Sequence, residues 1–182
     1  MKLEKLSRKT KLRGELKKLY KEAFPPDERV PFGMLMRRAD SPLADLFGLF
    51  DDDTLVGFAY VVKKGKLYYL FYFAMKPEER GKGYGSETLA LLREKYRDGV
   101  LFLALEKRDP ASPNYEERLR RHAFYERCGF TDVAKSLKES SVVYDVMTSG
   151  GDVSDAGFRP MMREYLGPVY RRIIDTRITE QN

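Results

Sequence analysis

Residues 80–86 read Arg80-Gly81-Lys82-Gly83-Tyr84-Gly85-Ser86, directly after an apolar run over residues 67–75 and Lys76-Pro77-Glu78-Glu79. A strand, a glycine-rich turn and a helix start in that order make a cradle for an anion. Glycines lack a Cβ, so successive backbone N–H groups can close round a phosphate, and the positive end of the helix dipole adds attraction. Arg80 and Lys82 place two full positive charges beside it. The spacing is neither G-x-G-x-x-G nor G-x-x-x-x-G-K-[ST], which sets aside dinucleotide-binding and P-loop readings. What remains is Arg80-x-x-Gly83-x-Gly85.

That motif resembles the acetyl-CoA pyrophosphate loop of the GNAT superfamily of N-acetyltransferases. A second segment, Phe124-Tyr125-Glu126-Arg127-Cys128-Gly129-Phe130, is similar to the Phe-Tyr-x-x-x-Gly-Phe stretch that closes the last core helix of that family. The two occur in the expected order, and the resemblance covers residues 1–148. It implies a mixed α/β fold: a central twisted, mostly antiparallel sheet, with strands four and five parallel and helices flanking it. It also implies acetyl-CoA as co-substrate and direct transfer of the acetyl group to a primary amine in a ternary complex.

The resemblance assigns the pyrophosphate to Arg80, Gly81, Lys82, Gly83, Tyr84, Gly85 and Ser86. It pairs the pantetheine arm with the strand backbone at Phe73, Ala74 and Met75. Beside Phe124 and Gly129-Phe130, Tyr125 is the candidate general acid. A phenol of pKa ~10 is protonated at neutral pH and can reprotonate a thiolate whose acid has pKa ~8.5. Glu106, closing the fifth strand, could take the amine proton directly or through a water, or attract a cationic substrate; a solvated strand-end carboxylate is the plain alternative. Glu28, after Pro25-Pro26, is a further candidate for facing the acceptor. His122 reads as an exposed helical histidine between arginines, and Cys128 lacks a convincing base partner for acyl-enzyme chemistry. No histidine and cysteine cluster suggests a metal. Many family members carry asparagine and alanine where this chain has Arg118 and Arg121, a departure that touches the helix contacts to pantetheine.

The elements that position these residues follow from pattern. Residues 1–6 read as a first strand. An amphipathic helix over residues 10–24 has Leu12, Leu16, Leu19 and Ala23 on one face, with Lys11, Lys17, Lys18 and Lys21 elsewhere, and Pro25-Pro26 stops it. A short helix follows over residues 31–38. Strands at 45–50, 54–62 and 66–75 form a meander, linked by Asp51-Asp52-Asp53 and Lys64-Gly65. After the glycine loop, Gly85, Leu89, Leu92 and Tyr96 make a helical stripe, and residues 100–105 a buried strand parallel to the previous one. A helix over residues 115–127 closes at Gly129, and strands at 130–134 and 141–148 form a last hairpin. Gly150-Gly151 marks a joint, after which Ser154 caps a helix carrying Phe158, Met161, Met162 and Tyr165 and ending at Gly167-Pro168. The division is a GNAT-like domain over residues 1–148 and a helical C-terminal extension, 149–182, of that same domain.

At 182 residues the chain suits one well-buried core. With 42% hydrophobic and 13% aromatic residues it reads as globular. A net charge of +6 suits a cofactor bearing several phosphates, whereas a nucleic-acid partner would rest on that charge alone and is set aside. One cysteine, no apolar leader and no membrane-length apolar run predict a cytoplasmic protein without a membrane partner. The acceptor, a small-molecule amine or a protein amine, is not encoded in any recognisable motif. An exposed strand edge is compatible with a homodimer. The competing reading is a non-catalytic acyl-CoA-binding regulatory module of the same fold, which would keep the glycine loop and could dispense with Tyr125.

Overall fold

The computed structural model describes residues 1–139, 142–170 and 176–181. In chain order the elements are β1 (Lys2–Leu6), α1 (Arg13–Ala23), α2 (Phe32–Ala39), β2 (Ala44–Asp51), β3 (Thr54–Lys64), β4 (Leu67–Met75), α3 (Tyr84–Lys95), β5 (Val100–Glu106), α4 (Tyr115–Arg127), β6 (Thr131–Glu139), β7 (Val142–Thr148), α5 (Asp155–Tyr170) and β8 (Thr176–Glu180). Short 3-10 turns at Pro26–Glu28 and Pro77–Glu79 precede α2 and α3. The strands form one open sheet in the order β1-β2-β3-β4-β5-β7-β6-β8, and the β4–β5 pairing is parallel, as the strand-helix-strand pattern requires. That ladder joins Leu67, Tyr68 and Tyr69 to Val100, Leu101 and Phe102.

Two compact units make up the chain: Met1–Lys63 with Leu70–Leu92, and Lys64–Tyr69 with Arg93–Asn182. In the first, Leu16 and Leu19 of the predicted face are buried and Leu12 and Ala23 half-buried, Tyr20 is buried beside them, and Lys11, Lys17, Lys18 and Lys21 are exposed. Helix α1 is shorter than predicted. Its last turn stops at Ala23 because Phe24, held ahead of Pro25, is extended (φ −126°, ψ 137°). The Tyr20 ring meets Tyr72 edge-on at 5.0 Å, and its hydroxyl donates to the Val30 carbonyl at 2.8 Å. These bonds tie the loop after α1 to β4.

In the second unit, Tyr69 and Phe102 stack at 4.7 Å across the parallel ladder, and Phe158 of α5 packs edge-on against both. Phe158, Met161, Met162 and Tyr165 are all buried, so the apolar face predicted for the tail is a core face. Gly167 breaks the helical path (φ 73°), yet helix resumes beyond it to Tyr170. Strand β6 is longer than predicted, and Ser141, assigned to its partner, lies outside the described residues. The tail also adds a strand that the sequence did not signal. β8 pairs antiparallel with β6, and Ile178 is its buried side chain. No helix among the described residues is long and apolar enough to cross a membrane.

Candidate active site

The glycine loop belongs to the first unit. The 3-10 turn ends at Arg80, whose side chain makes no ion pair or hydrogen bond among the described residues. Lys82, by contrast, pairs with Glu79 at 2.8 Å, so Arg80 is the cation left available to a phosphate. Gly81 (φ 78°) and Gly83 (φ 87°) both occupy the left-handed region, and a Cβ on either would meet only open space. Backbone conformation, not crowding, therefore selects glycine at both positions. Gly85 lies inside α3, so its role differs from theirs. The first bond of the helix runs from Glu87 N to Gly83 O at 3.1 Å, which puts the N–H groups of Tyr84 and Gly85 at the dipole's positive end.

The same unit holds the other sequence-predicted contacts. Ala74 is buried, and Phe73 and Met75 are half-buried on β4. Glu28 closes the 3-10 turn Pro26–Glu28. Its carbonyl accepts a hydrogen bond from the Tyr72 hydroxyl at 2.8 Å, and that oxygen accepts from Val30 N at 3.1 Å. Tyr72 thus fastens Glu28 beside the strand segment carrying Phe73.

Tyr125 and Glu106 belong to the second unit. Tyr125 sits in the last turn of α4, half-buried, and its hydroxyl has no hydrogen-bond partner among the described residues. Burial pushes its phenol well above the ordinary tyrosine value, with the Arg121 guanidinium pulling the other way. The phenol therefore stays protonated across the neutral range. Its backbone is fixed by the turn behind it: Phe130 N donates to the Tyr125 carbonyl at 3.0 Å, and Gly129 (φ 81°) reverses the chain. A Cβ at Gly129 would also collide with the Arg93 guanidinium, which donates to the Cys128 carbonyl at 3.0 Å. Arg93 therefore caps the negative end of α4, a contact the helical stripe of α3 could not reveal.

Glu106 is not a solvated strand-end carboxylate. One oxygen meets Arg118 at 3.1 Å and the other Arg121 at 2.5 Å, with Asn114 Nδ2 at 3.4 Å. The two arginines that depart from the family pattern are thus the partners of Glu106. They lie three residues apart, on one face of α4. His122 is buried, 2% exposed, rather than exposed as its arginine neighbours suggested. Its Nε2 lies 3.1 Å from the Glu106 carbonyl, and 3.7 Å from the buried Asp145 carboxylate. His122, Asp132 and Asp145 converge closely enough for a metal, a cluster invisible in the sequence because the three lie on α4, β6 and β7. Arg108 occupies that ground, bonding Asp132 at 2.6 Å and approaching Asp145 at 3.7 Å, so a fixed cation already balances the two carboxylates.

The acetyltransferase (GNAT) family model matches residues 13–130, more than half of the chain, and the protein belongs to that family. An acetyltransferase of the GNAT family from Bacteroides thetaiotaomicron superposes with a TM-score of 0.69 and 26% identity, over 91% of this chain and 96% of that one. An aminoglycoside 6'-N-acetyltransferase complexed with coenzyme A superposes at 0.63 and 17% identity, over 85% of this chain and 100% of its own. The ribosomal-protein-S18-alanine N-acetyltransferase from Escherichia coli gives 0.60 and 18%, over 81% of this chain and 91% of its own. The last two speak to fold alone. No curated protein sequence matches the chain.

Proposed function

We propose that the protein transfers the acetyl group of acetyl-CoA to a primary amine by direct attack in a ternary complex. The observation that carries the reading is the pair of left-handed glycines, Gly81 and Gly83, opening α3 beside the uncommitted Arg80. Membership of the acetyltransferase family supports it. In this reaction the loop over residues 80–86 holds the pyrophosphate, and the β4 backbone at Phe73, Ala74 and Met75 aligns the pantetheine arm. The amine lone pair attacks the thioester carbonyl and the C–S bond breaks. Tyr125 gives its proton to the departing thiolate, and the proton shed by the amine leaves through water. Glu28 faces the acceptor.

Glu106 takes a different part from the one its position first suggests. With both oxygens engaged by guanidinium groups, it fastens α4 to the end of β5 and so fixes the helix that carries Tyr125. The deciding experiment is release of free thiol from acetyl-CoA in the presence of a panel of small amines, aminoglycosides, polyamines and basic peptides. Turnover with one class identifies the acceptor. Acetyl-CoA binding without turnover on any of them would favour a non-catalytic acyl-CoA-binding module instead. EDTA and Cys128→Ala should leave the rate within about a few-fold, because neither a metal nor an acyl-thiol takes part.

A further inference from the structure

Among the described residues, positions 81–83 of the cofactor loop are short of anchors. Gly81 and Gly83 have open space where side chains would pack, and the Lys82–Glu79 pair is an exposed ion pair of the kind that contributes little. Glycines also lose the most conformational freedom when held in one shape. Tyr84, next in the chain, is anchored. Its carbonyl accepts a hydrogen bond from the buried Thr88 hydroxyl at 2.7 Å, and its own hydroxyl donates to the Asp51 carboxylate, 33 residues earlier in the chain.

Asp51 is a rigid place to tie to. It is the last ladder position of β2, paired with Thr54 across the two-residue turn Asp52-Asp53, where Asp52 is left-handed (φ 49°). A tight antiparallel turn of this kind holds its flanking residues in fixed register. The placement is costly in charge, since Asp51, Asp52 and Asp53 lie together in a turn tied to an anion-binding loop. Attraction of the cofactor cannot explain it; support of the loop can.

We propose that Tyr84 is a positioning residue, whose hydrogen bond to Asp51 holds the backbone of residues 81–83 in the shape that receives the cofactor's phosphates. The inference rests on reading this loop as the acetyl-CoA site. The Asp51 carboxylate, as acceptor, pushes the Tyr84 phenol up to about 12, so the hydroxyl is a donor throughout the working pH range.

The test is calorimetric binding of acetyl-CoA to the wild type, Tyr84→Phe, Asp51→Ala, Asp51→Asn and the Tyr84→Phe/Asp51→Ala double variant, with melting temperatures alongside. Loss of one supporting hydrogen bond should weaken binding by about three- to tenfold in Tyr84→Phe and in Asp51→Ala. The double variant should be no weaker than either single one, because both remove the same bond. Asp51→Asn keeps an acceptor oxygen and should recover at least half of the loss. If both Asp51 variants bind more tightly and Tyr84→Phe is unchanged, the turn acts by charge alone and the proposal is overturned. A fall in melting temperature with unchanged affinity overturns it too, leaving a purely structural bond. In either case the cofactor assignment stands; a wild type that does not bind acetyl-CoA removes both.

Discussion

The Tyr125 hydroxyl, without a hydrogen-bond partner among the described residues, separates chemistry from packing. Its ring lies edge-on to Phe124 at 5.1 Å and to Phe130 at 6.0 Å, contacts that phenylalanine keeps. Tyr125→Phe should lower the turnover rate by ~10² to 10⁴, the range expected for a lost general acid, with acetyl-CoA affinity and melting temperature little changed. Full turnover of Tyr125→Phe on the true acceptor would make the tyrosine a core aromatic only. In the loop, Gly83→Val should weaken acetyl-CoA binding by ~10-fold or more through backbone strain, since the added side chain itself meets nothing. Gly81→Val should behave alike, and unchanged calorimetric affinity in both would remove the cofactor assignment. Glu106→Gln retains the side chain's shape but gives up its charge to Arg118 and Arg121. An unfolding free energy lowered by about 1–3 kcal/mol in denaturant titration, with no loss of an acidic limb in the pH–rate profile, fits a fastening role. Disappearance of that limb at unchanged stability would instead restore Glu106 as the base.

At the scale of elements, α4 is held along its body and at its C-terminal end. Arg118, Arg121 and His122 bind its body to Glu106 of β5, and Arg93 of α3 caps its C-terminus. Gly129→Ala should destabilise the protein by about 1–2 kcal/mol from the left-handed backbone alone, and further from the collision with the Arg93 guanidinium. Combining it with Arg93→Ala should recover the collision component but not the backbone one. Equal stability losses with and without Arg93 would show that the guanidinium simply swings aside. The tail is an element of the same unit. Gln181, just past β8, donates to the Asp145 carboxylate at 3.0 Å and to the Lys135 carbonyl at 3.1 Å, so the last strand helps satisfy a buried charge next to His122.

For the whole molecule, the phenols set an alkaline limit on stability. Burial raises the Tyr20 phenol to about 12 and lifts that of Tyr125 above its ordinary value. Above the unfolded-state value of ~10 the unfolded chain releases these protons while the folded chain retains them, so stability falls as pH rises, for Tyr20 until about 12. Chemical denaturation between about pH 8 and 11 should show this decline beginning near pH ~10. Tyr20→Phe should make it shallower. A slope unaffected by that change would mean that Tyr20 ionises in the folded protein as readily as in the unfolded chain.

Short-range chemistry made much of this protein legible from its sequence. The glycines of the loop, the proline stop after α1, the helical stripe of α3 and the bounds of α4 are set by backbone geometry and local periodicity, which a neighbouring residue already encodes. Pairings across long separations were not legible. Glu106 meets Arg118 and Arg121, Tyr84 meets Asp51, and Arg93 meets Cys128 only once strands and helices are brought together, and charged residues look alike in sequence whether solvated or paired. His122 reads as exposed because its neighbours are arginines, yet the helix turns it inward toward the Glu106 carbonyl. β8 carries a single buried apolar side chain among polar ones, so no alternation announces it; its hydrogen bonds to β6 make it a strand. Local conformation follows from the residue and its neighbours, whereas the partner of a charge follows from topology.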